Sequence, residues 1–395
     1  MRKPLKANVS WVGKVDWELR KFHGDEYSTW RGTSYNSFVI EEKKVALIDT
    51  VWLPYAREFV DALERDVGLE KLDVIIVNHG EVDHSGSLTE LLRRRPDLPV
   101  YCTANAVKSL RGQYHQDWDF HTVKTGDRLS LGDKELVFIE APLLHWPDTM
   151  MCYLTGDQTL FSSDAFGQHY AREHLFNDLV DPVELFEEAI KYYANILTPF
   201  SALVTKKIDE LVALGLPVDM ICPSHGVIWR KDPMQIVRRY AEWAADYQED
   251  RVVIAYDTMW EGTRHLAEAV AQGIAEGSPS TAVVMHNCAK SDKNDVVTDV
   301  FRSKAVLFGS PTVNRGILTS VAGLLEMVRG LKFKGKKAGA FGCYGWSGES
   351  VALLNAAARE AGFQVSGDGV KALWDPDESA LARAVAYGRE FARSL

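Results

Sequence analysis

The sequence predicts an α/β protein in two parts: an αββα sandwich over residues 1–249, followed by a doubly wound parallel sheet over 250–395. Three observations carry this expectation. The chain has 395 residues, more than one core of ordinary size accommodates. In its first half, short strand-like runs outnumber the helical stretches between them, which suits two sheets packed between helices. After about residue 250, apolar strands and helices alternate in five βα units, the pattern of a parallel sheet. No Pro/Gly-rich linker separates the parts, so the boundary rests on the change of pattern.

Composition narrows the function classes. Hydrophobic residues make up 46% and charged residues 25% of the chain, an ordinary globular balance, and no run approaches the ~20 apolar residues that span a bilayer. The basic start Met1-Arg2-Lys3-Pro4-Leu5-Lys6 leads into no apolar signal core, so a cytoplasmic location and no membrane partner are expected. A net charge of -10 argues against a nucleic-acid surface. Cys102, Cys152, Cys222, Cys288 and Cys343 form no CxxC pair, which leaves no disulfide framework, zinc ribbon or rubredoxin-like iron site. Reduced, mostly buried thiols are expected.

From residue 7 to about 53 the chain reads as strands, clearest at 9–12, 37–40 and 45–50. A helix over 55–67 and the β-branched strand 73–78 follow, and helical spacing resumes at 87–92. A strand at 100–103, a helix at 104–112 and strands at 127–131 and 135–140 come next. The loop after 73–78 reads His79-Gly80-Glu81-Val82-Asp83-His84, four potential metal ligands in six positions. If it stays extended, the side chains at 79, 81 and 83 converge, and Asp83 with His84 can serve a second ion. One such residue in a loop is ordinarily a solvated polar group. Four together, with further candidates downstream, point to half of a two-metal site.

Those candidates are His145 after the strand 135–140, Asp164 ending the run 158–164, and His225 ending the run 220–225. Each stands where a strand runs out, at the same sheet edge as His79; alone, each would be read as a turn residue. A helix expected over 183–195 carries Tyr192 and Tyr193, either a proton donor beside the metals or a packed core aromatic. His23 is a candidate for the pocket wall. The histidines at 115, 121, 169, 174, 265 and 286 are read as surface or structural.

After an amphipathic helix over 233–248, strands are expected at 251–256, 281–286, 305–309 and 337–341, with a fifth before the last helix at 378–393. Ligands of such sheets sit at the carboxyl ends of the strands. The first loop there supplies Thr258, Met259, Trp260, Gly262 and Thr263, hydroxyls and N–H groups at a helix start that can cradle a phosphate. The second supplies Ser310, Pro311, Thr312, Val313 and Asn314, and the third Tyr344, Gly345, Trp346, Ser347 and Gly348. A phosphate nest plus loops of small residues and an aromatic suits FMN, whereas a dinucleotide calls for GxGxxG, which is absent. Glu261 inside the phosphate loop is expected to point to solvent.

The first half is similar to the metallo-β-lactamase superfamily, whose signature is HxHxDH followed by a His, a bridging Asp and a last His. Here Glu81 replaces the second His of that signature, leaving four imidazoles and three carboxylates, and hard oxygen donors shift the preference from zinc towards iron or manganese. The resemblance implies that His79, Glu81 and His145 hold one ion and Asp83, His84 and His225 the other, with Asp164 bridging. The second half looks like flavodoxin. Together, through HGEVDH (79–84), LHWPD (144–148), CPSHGV (222–227), YDTMWEGT (256–263), GSPTVN (309–314) and GCYGWSGE (342–349), the chain resembles the flavodiiron proteins over its whole length.

That resemblance implies two iron ions and FMN, and the reduction of O2 to water, of NO to N2O, or both. FMN and a diferrous pair would each store two electrons, with Trp346 a candidate bridge for their transfer. An external donor, rubredoxin or a reduced deazaflavin, is implied. A domain of 250 residues has a radius of gyration of about 18 Å, so a flavin on its own chain could lie too far from the iron. The family's arrangement, a head-to-tail homodimer, alone or paired into a dimer of dimers, is therefore expected. The alternative is a dizinc lactamase-type hydrolase with an appended flavodoxin domain.

Overall fold

The computed structural model describes residues 2–395. It comprises two compact units, one formed by the chain up to residue 192 with 200–241, the other by 193–199 with 242–395.

The first unit contains two stacked sheets. A seven-stranded sheet runs in the order Lys3–Pro4, Val9–Trp11, Phe38–Glu41, Val45–Ile48, Leu72–Ile76, Val100–Cys102 and Phe120–Thr122. A five-stranded sheet runs Arg128–Ser130, Glu135–Glu140, Met150–Leu154, Thr159–Ser163 and Met220–Pro223. Alternate residues point to opposite faces of a strand. Accordingly Phe38, Ile40, Ile48, Val74 and Ile76 from one sheet meet Leu136, Phe138, Cys152, Phe161 and Cys222 from the other in a single buried core. This core fixes the spacing between the strand ends that carry the candidate ligands.

The sequence pattern held no strand at Met150–Leu154 and no helix at Ser201–Ala213. The strand is buried at all five positions and so lacks the polar alternation that marks a half-exposed strand. The helix buries only Val204 and Ile208, too narrow an apolar stripe to stand out. The segment after His79 is not extended throughout, as expected, but turns into a short helix, Val82–Ser85. Asp83 and His84 consequently stand on one helical turn.

In the second unit, a parallel sheet runs Ala282–Asn287, Glu249–Tyr256, Ser303–Gly309 and Lys337–Tyr344, with Gln364–Val365 and Val370–Leu373 both pairing with the last. The first strand in sequence lies second in space, so the order reverses beside it, and the crevice at that point is where such sheets bind ligands. Helices Gly262–Gly277 and Glu378–Arg393 pack together through Leu266, Val270, Ala384 and Phe391. Their backbones nearly touch: a Cβ at Gly273 would lie 2.0 Å from the Val385 carbonyl, and one at Gly388 2.2 Å from that of Val270.

Candidate metal centre and flavin loops

The 79–84 segment is held from both sides before any ligand is considered. Asp49 accepts the Asn78 N–H at 2.8 Å, and Met150 N–H donates to the Asn78 carbonyl at 2.8 Å. Burial pushes the Asp49 carboxyl up to about 6. Thr50 donates from both its N–H and its hydroxyl to the His84 carbonyl, at 2.7 and 2.8 Å. Ser85 Oγ donates to the Gly80 carbonyl at 2.9 Å. Gly226 directly follows His225 with a φ of +76°, and a Cβ there would lie 1.5 Å from Gln168 Oε1, which accepts the Val227 N–H. The turn that aims His225 therefore requires glycine.

Strand ends bring all seven candidate ligands together. One ligand atom from each of His79, Glu81, His145 and Asp164 lies within 4.8 Å of the others, and the same holds for Asp83, His84 and His225. Asp164 faces both groups: its Oδ2 is 3.1 Å from His145 and 3.5 Å from His79, while its Oδ1 is 3.0 Å from His84 and 3.7 Å from His225. His84 Nε2 also lies 3.2 Å from Asp83 Oδ2, which is 3.1 Å from His225 Nε2. Despite this closeness, both Asp83 oxygens, Asp164 Oδ1 and both His84 nitrogens make no hydrogen bond, and all are buried. Buried polar atoms left unpaired cost about 1–3 kcal/mol each. A cation among them satisfies those that face one another, His84 Nε2, Asp83 Oδ2 and Asp164 Oδ1, so the residues present fit a two-ion centre.

Electrostatics point the same way. Burial disfavours charge on Glu81, but His145, His23 and His79 hold its carboxyl far below the usual range. Burial is likewise outweighed at Asp164, chiefly by His84. On the imidazoles burial acts downward, yet the carboxylates win: Asp83 and Asp164 bring His84 to about 9, and Asp164 and Glu81 bring His145 to about 9. His84 and His145 thus hold protons where an ion would stand.

Several residues around this set were not read from the sequence. Asp148 Oδ1 accepts from His79 Nδ1 at 2.9 Å, which leaves His79 Nε2 facing Glu81. His225 Nδ1 donates to the Ser34 carbonyl at 2.7 Å. Asp148 was visible beside His145, but no spacing rule ties it to His79. His169, expected to be surface or structural, lies buried with its ring centroid 4.7 Å from His225, and its Nδ1 is 2.8 Å from Thr33 Oγ1. A single His in Gln168-His169-Tyr170 carries no sequence signal for this.

Of the expected surrounding residues, His23 lies beside the ligands, its Nε2 3.1 Å from Glu81 Oε1. Tyr192 is buried, with its ring 6.3 Å from His225 and 5.2 Å from His169. Burial and the nearby Asp164 charge keep its hydroxyl protonated. Tyr193 corrects the expectation of two equivalent candidates: its ring packs on Trp243 and Phe301, 5.6 and 5.7 Å away. Neighbouring helical residues project about 100° apart, so the two cannot share a face.

In the second unit the three expected flavin loops adjoin at the strand ends. Asp257 N–H donates to the Gly309 carbonyl at 3.0 Å, Thr312 N–H to that of Cys343 at 2.9 Å, and Ser350 N–H to Thr312 Oγ1 at 3.1 Å. Two hydroxyls in the phosphate loop, Thr258 Oγ1 and Thr263 Oγ1, are buried without a hydrogen-bond partner. Donors waiting at a helix start fit a phosphate. Trp346 and Trp260 are each 88% exposed. Glu261 is exposed, as expected, and its carboxylate is paired there with Arg264.

Comparison with known proteins agrees with both halves. Residues 33–226 match the ODP family beta lactamase and residues 254–388 match flavodoxin. The chain is 56% identical to the anaerobic nitric oxide reductase flavorubredoxin of Klebsiella pneumoniae subsp. pneumoniae, over 98% of this chain and 81% of that protein. Among solved structures, it superposes on rubredoxin oxygen:oxidoreductase from the anaerobe Desulfovibrio gigas with a TM-score of 0.96 at 32% identity, covering 100% of this chain and 98% of that one. The flavodiiron protein from Giardia intestinalis gives 0.94 at 33%, over 100% and 96% of the two chains.

Proposed function

The chain belongs to the flavodiiron proteins, and we propose that it reduces NO to N2O, O2 to water, or both, at a non-haem diiron site supplied with electrons through FMN. The observation that carries this reading is the paired cluster, His79, Glu81, His145 and Asp164 beside Asp83, His84 and His225. Its three carboxylates are the hard donors that suit iron. The relatives named above carry redox names, which sets the dizinc hydrolase alternative aside. The higher identity to the nitric oxide reductase, 56% against 32% for the oxygen:oxidoreductase, favours NO as the preferred gas.

In this reading the seven side chains would hold the two ions, Asp164 serving both, and Thr258, Met259, Trp260, Gly262 and Thr263 would hold FMN together with loops 310–314 and 344–348. Bound iron would supply open positions for the gas and two electrons, and FMN two more. The chain's own residues do the rest. Asp148 holds the Nδ1 proton of His79 and so presents Nε2 to the centre; the Ser34 carbonyl does the same for His225. Tyr192 holds a proton on its oxygen within the buried shell. Burial of His79, His84, Asp164 and His225 keeps bulk water from the ions.

The exposed Trp346 suits an electron route away from the flavin. We further propose a rubredoxin or a reduced deazaflavin as donor, a head-to-tail homodimer, alone or paired into a dimer of dimers, and a cytoplasmic location. No helix among the described residues is long and apolar enough to cross a membrane. Stopped-flow reoxidation of the fully reduced protein by each gas tests the reading. Faster reoxidation by NO than by O2 is expected, and reoxidation by neither would overturn it.

A further inference from the structure

The phosphate loop holds an acidic residue that a phosphate site does not call for. Glu261 stands at the N-cap of helix Gly262–Gly277 in the left-handed region, φ +65°, and its side chain caps no N–H. That conformation strains any side chain and favours glycine. What a glutamate supplies there, and a glycine would not, is its carboxylate. That carboxylate takes the Nε–H of Arg264. The remaining edges of the same guanidinium are also engaged: Nη1 donates to Glu268, and Nη2 lies 3.4 Å from His265 Nε2, whose ring is held by Asp375 at 3.0 Å.

We propose that Arg264 serves the flavin phosphate site without contacting the phosphate: it is a positioning and charge-cancelling residue whose task is to neutralise Glu261 beside the phosphate loop. The inference rests on the reading that this loop binds FMN. With the guanidinium shared between Glu261 and Glu268, recognition falls to the backbone N–H groups of the helix start and to the unpaired hydroxyls of Thr258 and Thr263. The arrangement resolves what would otherwise be a repulsive carboxylate next to a phosphate dianion. Removing Arg264 should expose that repulsion, whereas removing both charges should remove it.

The test is a double-mutant cycle on the full-length protein, reading FMN affinity by flavin fluorescence on release and rebinding, with riboflavin as the ligand that lacks the phosphate. R264Q is expected to weaken FMN binding about tenfold at low salt, the scale of an unscreened charge several ångströms from a dianion in water. The deficit should shrink as salt is raised. E261Q is expected to leave FMN affinity unchanged or tighter, and E261Q/R264Q to return it to about the wild-type value. Riboflavin binding should be the same in all four proteins. If R264Q weakens FMN and the double variant stays equally weak, Arg264 contacts the phosphate itself and the proposal is overturned. Unchanged FMN affinity in R264Q, or weaker affinity in E261Q, would overturn it as well. Should the wild-type chain bind neither flavin, it is the FMN reading that fails.

Discussion

At the scale of single residues, the proposed chemistry of the centre turns on Glu81. It contacts His79, His23 and His145 and is the hard donor that stands where the HxHxDH signature has its second His. Glu81→His should lower iron content and cut gas reduction by at least about tenfold; an unchanged enzyme would refute the role given to it. Asp148→Asn keeps the shape but removes the charge that fixes His79, so apparent iron affinity should fall about 10–100-fold, as read by competition with a chelator. Proton linkage has a definite sign. His84 and His145 have raised pKa values, about 9 each, so in the metal-free protein their protons persist through neutrality and are lost as pH rises through 9. Ferrous ion added at pH 7 should therefore release protons into a weak buffer, and apparent affinity should climb between pH 6 and about 9. Flat affinity across that range would contradict the arrangement.

At the scale of elements, the sequence revealed the site better than it revealed the scaffold. Four ligand residues packed into 79–84 after a β-branched run are legible because chemistry and local structure coincide there, and His145, Asp164 and His225 follow from strands running out. The helical turn Val82–Ser85 was not legible, since four residues between a strand and a helix carry no periodicity. Nor was the strand Met150–Leu154, whose burial on both faces erases alternation. His169 and Asp148 act through space on His225 and His79, and nothing in their local sequence records those partners. In the second unit every βα repeat was readable except the fifth strand, which is split into Gln364–Val365 and Val370–Leu373. The close helix pair there gives its own prediction. Gly388→Ala would drive a methyl towards the Val270 carbonyl and should destabilise the unit by about 1–3 kcal/mol, visible as a lower temperature of flavin release. An unshifted release would show that the helices part at no cost.

At the scale of the whole molecule, the proposed function draws on a two-ion centre in one unit and a flavin crevice in the other. The exposed Trp260 and Trp346 beside the flavin loops are what a partner subunit would cover, in keeping with the proposed head-to-tail dimer. Sedimentation at micromolar concentration should give a dimer or larger; a strict monomer with full gas turnover would exclude that assembly. The electron path, the bridging carboxylate and the choice of gas all depend on one premise, that the paired cluster holds iron. Metal and flavin analysis of the purified full-length protein, with anaerobic NO uptake measured on the same sample, tests it most directly. About two irons and one FMN per chain, with NO consumed at the expense of a reduced donor, is the predicted result. Zinc in place of iron, with no gas uptake, would contradict it.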